Sequence, residues 1–409
     1  MSKIKILCVF GTRPEAAKMA PVIQELNKEE NRRHAETQVC VTAQHREMLD
    51  QVLDIFKIKP DYDLNIMKAG QTLSDITTNV LAGLGPVLEE ARPDLVLVHG
   101  DTTTSFAAAL TAFYNKIPCG HVEAGLRSFD KYQPFPEEIN RKLTGVLADL
   151  HFSPTPQAKD NLLRENVDPS KIFVTGNTAL DCFATTIYGG PGAGCGAGAS
   201  GGAGRRLRAG ASGEYRYHCE KLNSIDFTNT RVILMTAHRR ENLGAPLVNI
   251  CRAVRRLAAR YKDTLFVYPV HFNRLVRDTA RKELEGAARV VLTDPLDLCD
   301  MHNLMNKSFL VLTDSGGLQE EAPGLRKPVI VLRNVTERPE GLSAGTLKLA
   351  GTEESVVFET AARLLDDPAE YNRMASAKNP YGDGRASIRI AGVILRYFDI
   401  KETLPEEFC

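Results

Sequence analysis

The sequence predicts an α/β protein made of two successive doubly wound domains. Three observations predict it. Short apolar runs alternate with helix-length stretches along the whole chain. Strands that are apolar throughout, rather than alternating, suit a parallel sheet covered by helices on both faces. The alternation runs through the first half and repeats in the second, and 409 residues, 43% of them apolar, are enough for two cores at roughly 100–200 residues per domain.

In the first half the strands are expected at Ile4–Phe10, Thr37–Thr42, Leu95–His99, Cys119–Val122, Leu150–Ser153 and Ile172–Thr175. Helices are expected between them, at Glu15–Lys28, Glu47–Phe56, Leu73–Glu90, Thr103–Tyr114, Glu137–Ala148 and Pro156–Asn166. In the second half the strands are expected at Val232–Thr236, Leu265–Tyr268, Val290–Leu292, Phe309–Thr313 and Val329–Leu332. Their helices are Leu247–Tyr261, Arg274–Glu285, Leu298–Asn306 and Ser355–Leu365. The expected domains are residues 1–180 and 214–384. Between them lies a tract, Gly189–Gly213, in which 11 of 25 residues are Gly and 6 are Ala. Such a tract buries too little apolar surface to offset its ordering entropy, so it reads as a loop. Its literal G-x-G-x-x-G match follows no strand, and is a product of composition.

Composition narrows the function. There are 51 basic and 51 acidic residues, a net charge of zero, which gives no footprint for nucleic acid or an anionic membrane. No apolar run reaches the roughly 18–20 residues of a membrane span. Ile6–Phe10 is too short for the apolar core of a signal peptide. The nine cysteines are scattered, with no Cys-x-x-Cys pair, so a reducing, cytoplasmic setting is expected. There is no His-Glu-x-x-His and no Walker A sequence, and no metal is expected.

The chemistry gathers where strands end. Phe10-Gly11-Thr12-Arg13-Pro14-Glu15-Ala16-Ala17-Lys18 turns a buried strand into a helix, with Pro in the first helical turn. Arg13 and Lys18 beside that helix N-terminus suit a phosphate; a structural turn with a basic cap is the bland alternative. His99-Gly100-Asp101-Thr102-Thr103-Thr104 holds Asp101 at a second strand end, and His121-Val122-Glu123 holds Glu123 at a third. Each acid alone reads equally as a cap or a salt bridge. Together with Glu137 and Glu138 of Pro134-Phe135-Pro136-Glu137-Glu138, they form a carboxylate cluster suited to proton transfer. In the second half, His238 stands between a strand and Arg239-Arg240, as an anion ligand would. Thr313-Asp314-Ser315-Gly316-Gly317 ends a strand in a turn whose N–H groups suit a diphosphate. Glu321, one turn on, suits a ribose diol, and Arg338 adds a cation.

The motifs GTRPEAAKMAP, TAQHREMLDQ, HGDTTT, GHVEAGLRS, PFPEEINR, TAHRREN, TDSGGLQEEAP and TERPEG occur in this order. In that order they resemble the non-hydrolysing, bacterial UDP-N-acetylglucosamine 2-epimerases. The resemblance covers nearly the whole chain apart from the Gly/Ala tract. It implies a GT-B-like arrangement of two Rossmann-like domains with the site in an interdomain cleft. It also implies a C-terminal helix, about 385–409, packing back on the first domain, and a homodimer. The implied reaction interconverts UDP-GlcNAc and UDP-ManNAc with no nicotinamide or metal, to supply cell-surface polysaccharide. By the resemblance Asp101, Glu123, Glu137 and His238 are catalytic. Arg13, Lys18, Met301, Ser315, Gly316, Gly317, Glu321 and Arg338 bind substrate. Gln44, His45, Gln71, Arg239, Glu241 and His271 match the site of an activating second UDP-GlcNAc.

The chain departs from the pattern in three places. Pro295–Met301 lacks the aromatics usual beside the uracil, leaving Met301 to pack on the base. Gly70 stands where a basic residue is common, and the Gly/Ala tract replaces a charged helical segment. Three other readings stay open: a hydrolysing epimerase, a GT-B glycosyltransferase, and a non-catalytic UDP-sugar binder. The carboxylate cluster argues against the last, since a binder does not need one.

Overall fold

A computed structural model describes residues 3–42, 46–66, 70–188, 208–209 and 215–409. Two compact units emerge. The first comprises the described residues up to 185 and from 381 to 409, and the second those from 186 to 380.

The first unit carries seven parallel strands: β1 (Ile4–Phe10), β2 (Ala35–Val41), β3 (Tyr62–Asp63), β4 (Leu95–His99), β5 (Cys119–Val122), β6 (Leu150–Ser153) and β7 (Ile172–Val174), ordered β3-β2-β1-β4-β5-β6-β7. A two-residue ribbon follows, β8 (Arg208–Ala209) antiparallel to β9 (Tyr215–Arg216). The second unit carries β10 (Arg231–Thr236), β11 (Thr264–Pro269), β12 (Val290–Thr293), β13 (Leu310–Thr313), β14 (Val329–Val331) and β15 (Leu347–Leu349), ordered β12-β11-β10-β13-β14-β15 and again parallel. The order reverses between β1 and β4 in one unit and between β10 and β13 in the other. Ligands of open parallel sheets bind outside the carboxyl ends of strands at such a reversal.

The sequence dictates these elements locally. β4 is buried from end to end and β1 from Ile6 to Phe10, as strands covered on both faces must be. The helix Arg13–Leu26 starts with Thr12 as N-cap, Pro14 in the first turn, and a capping box closed by Glu15. In the first unit Leu7, Val9, Val96 and Val98 of the sheet pack on Leu84, Leu88, Ala108 and Ala112 of two covering helices. In the second, Ile233, Met235, Phe266 and Leu312 pack on Ile250, Val254 and Leu257 from one helix and Val357, Ala361 and Leu365 from another. The helix Ala386–Tyr397 belongs to the first unit, where it packs on helix Arg13–Leu26.

Some elements differ from expectation. β3 and β15 have no counterpart among the expected strands, because two or three residues at a sheet edge carry no readable period. Helix Pro368–Ser376 also went unread. The Gly/Ala tract was expected to be a loop, yet Arg208 and Ala209 pair with Arg216 and Tyr215 through their backbones. The rest of that tract lies outside the described residues. Among the described residues no helix is long and apolar enough to cross a membrane, and no disulfide joins the eight described cysteines.

Candidate active site

In the first unit the sequence-predicted residues gather at the carboxyl ends of β1, β4 and β5. Gly11 follows β1, and a Cβ there would meet Thr42 Oγ1 at 2.0 Å and Thr104 Oγ1 at 2.9 Å. Only glycine lets the turn pass so close to the next strands. The N–H groups of this turn are held within the protein: Gly11 N (3.0 Å) and Thr12 N (2.8 Å) donate to Glu15 Oε2.

Glu123 ends β5 in the left-handed region, φ 64°. Such a conformation is uncommon for a residue with a Cβ and clusters at functional sites. Its Oε2 pairs with Lys18 Nζ and accepts Asn177 Nδ2 at 2.9 Å. His99 Nε2 lies 3.7 Å from the same oxygen. Burial pushes His99 down to about 4 and His121 to about 3, so both imidazoles are neutral at physiological pH. His121 Nε2–H donates to the Gly100 carbonyl at 2.7 Å, which fixes the turn before Asp101.

Asp101 Oδ2 accepts Arg141 Nε at 2.9 Å and Nη2 at 2.7 Å, while Asn140 Nδ2 donates to its carbonyl at 2.9 Å. Glu137 opens the same helix, Glu137–Leu147, and its buried Oε2 has no hydrogen-bond partner among the described residues. Glu138 was expected in the carboxylate cluster, and here the structure corrects the reading. Glu138 is wholly buried, accepts Ser128 N at 3.0 Å and Phe129 N at 3.1 Å, and meets Arg141 at 3.3 Å. It braces a loop.

In the second unit His238 follows β10. Asp314, wholly buried after β13, accepts His238 N at 2.7 Å, Arg239 N at 2.8 Å and Asn242 Nδ2 at 3.0 Å, all on Oδ2. Its other oxygen is 3.5 Å from His238 Nδ1. Burial lowers the His238 pKa, opposed by the Asp314 charge. The ring stacks on His271, centroids 5.1 Å apart and planes 10° apart.

Ser315 begins helix Gly316–Gly324 with no side-chain cap on its N–H groups. A Cβ on Gly316 would lie 3.6 Å from Arg239 Nη2 and 3.7 Å from Arg338 Nη2. Two guanidinium groups therefore flank an open helix N-terminus, an arrangement complementary to phosphate. Arg338 is held by the buried carboxylate of Glu320. Glu321 Oε2 lies 3.6 Å from His302 Nε2, and His302 Nδ1 meets Thr186 Oγ1 at 2.8 Å. Met301 is half-buried on helix Leu298–Lys307.

Of the residues expected at an activator site, Glu241 pairs with Arg333 at 3.0 Å. Gln71 Nε2 donates to the Ile66 carbonyl at 2.7 Å. Gln44 and His45 lie outside the described residues. One group has the composition of a metal site: His218, Asp297 and Asp300, with ligand atoms within 4.8 Å of one another. Its carboxylates are already engaged. Asp300 accepts Tyr215 Oη (2.7 Å), His218 N (3.0 Å) and Cys219 N (2.9 Å), and Asp297 meets His218 Nδ1 at 2.6 Å. These bonds tie residues 215–219 to the helix that Asp297 caps.

Sequence reasoning missed Glu15, His99, Arg141, Asn177, Asp314 and Glu320. Glu15 carried a signal, the Thr-x-x-Glu spacing of a capping box. Asp314 lay inside a motif read only for its glycines.

Two Rossmann-like doubly wound units, one rich in carboxylates and one with a cationic helix N-terminus, define an α/β protein of the GT-B-like class. A glycosyltransferase of kitacinnamycin, 12% identical over 97% of this chain and 99% of its own, shares the fold at a TM-score of 0.60. The sequence pattern of the family described as UDP-N-acetylglucosamine 2-epimerase matches residues 27–395. The Bacillus subtilis UDP-N-acetylglucosamine 2-epimerase is 52% identical over 408 residues, covering 100% of this chain and 99% of that one. A Neisseria meningitidis UDP-GlcNAc 2-epimerase, solved bound to UDP-GlcNAc, is 46% identical at a TM-score of 0.82, covering 96% of this chain and 100% of that one. The chain belongs to the UDP-N-acetylglucosamine 2-epimerase family and is an isomerase.

Proposed function

We propose that the chain interconverts UDP-GlcNAc and UDP-ManNAc without hydrolysis and without an acceptor, by eliminating and re-adding UDP. The observation that carries this reading is the division of chemistry. One unit offers carboxylates at strand ends, and the other offers guanidinium groups around an open helix N-terminus.

The C2 proton of the sugar has no neighbouring carbonyl and is a poor acid. Breaking the C1–O bond changes this. The bonding pair leaves with UDP, C1 becomes oxocarbenium-like, and C2 becomes acidic. A carboxylate takes the C2 proton, a C1=C2 double bond forms, and 2-acetamidoglucal is held. A carboxyl group then returns a proton to the opposite face of C2, and a UDP oxygen re-attacks C1. In this reading Asp101, Glu123 and Glu137 handle the C2 protons. His238, Ser315, Gly316, Gly317, Arg338 and Arg13 stabilise the charge that develops on the departing diphosphate. Lys18, through Glu123, and Glu321, toward the ribose, orient the substrate, with Met301 against the base.

The proposal extends to activation by a second UDP-GlcNAc. The stacking of His271 on His238, and the position of Arg239 beside Gly316, support it. A ligand engaging Arg239 and His271 would bear directly on the ring of His238. A homodimer is supported by a stripe of exposed apolar side chains on helix Glu137–Leu147, Ile139, Leu143 and Val146, continued by Phe113 and Tyr114. We propose a cytoplasmic setting and a role in supplying ManNAc units for cell-surface polysaccharide.

Incubation of the purified protein with UDP-GlcNAc alone tests the reading. UDP-ManNAc is expected, with a rate that is sigmoidal in UDP-GlcNAc and hyperbolic in His271→Ala. Free ManNAc with UDP would instead make the chain a hydrolysing epimerase, and turnover only on adding an acceptor would make it a transferase.

A further inference from the structure

The chemistry described above leaves the enclosed carboxylate of Glu15 unused. Glu15 is 2% exposed. A capping box needs a single bond from this side chain, the one from Thr12 N at 2.8 Å. Glu15 makes three further contacts. Gly11 N donates to the same oxygen at 3.0 Å. Thr102 Oγ1 donates to Oε1 at 2.6 Å, and Ser105 Oγ lies 2.9 Å from that oxygen. Ser105 Oγ is also 2.5 Å from the carbonyl of His99, so its one proton is shared between the two strand-end turns.

A carboxylate serving only as a helix cap sits at the surface, where water completes its hydrogen bonds. Burial carries a desolvation cost that must be offset by donors. Here burial raises the Glu15 pKa and the bonds from Thr102, Gly11, Thr12 and Ser105 oppose the rise. Two of those donors belong to the turn that carries Arg13, and two flank the turn that carries Asp101. We propose that Glu15 is a positioning residue for the reaction, holding the Gly11–Arg13 turn and the His99–Asp101 turn in register. The inference rests on the assignment of Arg13 and Asp101 to the active site.

The residue type follows from the surroundings. Gly11 N and Thr12 N can only donate, so Oε2 must be an acceptor. A glutamine could keep its oxygen on these two N–H groups only by turning its N–H₂ group onto the Thr102 and Ser105 hydroxyls, which would then have to accept where they now donate. Misplacement of a reacting group by about 1 Å costs on the order of 100-fold in rate.

Full-length Glu15→Gln and Glu15→Ala test this by steady-state kinetics and calorimetric titration with UDP. Both are expected to lose about 100-fold in kcat, with a much smaller change in KM and in the UDP Kd, since Ser315, Gly316, Gly317 and Arg338 of the other unit still hold the diphosphate when the Arg13 turn shifts. Formate should restore about tenfold of the loss in Glu15→Ala by occupying the vacated donors, and should leave the wild type unaffected. If neither variant folds, Thr102→Val removes one donor and should lose about tenfold in kcat. Wild-type kcat in Glu15→Gln or Thr102→Val overturns the proposal. So does a parallel loss of UDP affinity, or a folded Glu15→Ala that formate does not rescue. Asp101→Asn at wild-type turnover overturns the underlying assignment instead.

Discussion

The two units share a topology and solve one local problem alike, yet they present opposite chemistry. In both, the turn after the first central strand has its N–H groups occupied by a buried carboxylate: Glu15 for Gly11 and Thr12, Asp314 for His238 and Arg239. The source differs. Glu15 reaches back from the following helix, whereas Asp314 reaches across from the neighbouring strand. That choice decides what the neighbouring turn can do. Beside β4 stand Gly100 and Asp101, with neutral His99 and His121 beneath. Beside β13, Asp314 is followed by Ser315-Gly316-Gly317, whose helix N-terminus is uncapped and flanked by Arg239 and Arg338. The fold supplies the position, and the two or three residues after the strand supply the sign of the charge.

The comparison breaks most visibly at Arg338. Its guanidinium pairs with the wholly buried Glu320. Arg338→Ala strands that charge and should cost about 3–5 kcal/mol in a denaturant melt. Arg338→Met with Glu320→Leu should recover the stability without recovering affinity for UDP. Recovery of both would remove Arg338 from the diphosphate site. A smaller effect is expected from Asp314→Ala, which leaves His238 N and Arg239 N without their acceptor. Two stranded donors, at about 1–3 kcal/mol each, should weaken UDP binding by about 100-fold in a calorimetric titration. An unchanged Kd would show that the turn holds its shape alone.

Acid sensitivity sharpens the contrast. Burial lowers His99 to about 4, His121 to about 3 and His151 to about 4, all in the first unit. Each has a folded pKa below its unfolded value, so the unfolded chain binds the extra protons. Stability is therefore full above pH 6.5 and falls as the pH drops from 6.5 toward 4, by roughly 1.4 kcal/mol per pH unit for each histidine. Hydrogen exchange between pH 7 and pH 5 should show the first unit opening before the second, and His121→Asn should flatten the slope. Simultaneous opening would assign the acid response elsewhere.

Much of this was legible in the sequence. β1, β4, β5 and β6 were read to the residue because each is a short run, buried in β4, β5 and β6 throughout and in β1 from Ile6 on, and bounded by a turn. The strand-end motifs pointed to Asp101, Glu123, His238 and Ser315 because chemistry in a doubly wound sheet gathers there. What stayed hidden was pairing across the chain. Glu138 and Glu137 are adjacent, yet one turns inward to brace Ser128 and Phe129 and the other does not. Arg141 reached Asp101 over 40 residues, and Asn177 reached Glu123 over 54. A linear pattern carries no signal for such contacts. The same limit hid β3 and β15, which exist only because a neighbouring strand is there to pair with.

The most direct test of the division between the units follows hydrogen at C2. NMR of UDP-GlcNAc turning over in deuterium oxide should show deuterium entering C2 with the wild type. Glu123→Gln should stop that exchange while binding UDP as tightly as the wild type. Exchange that persists in Glu123→Gln, or UDP affinity that collapses with it, would contradict the account.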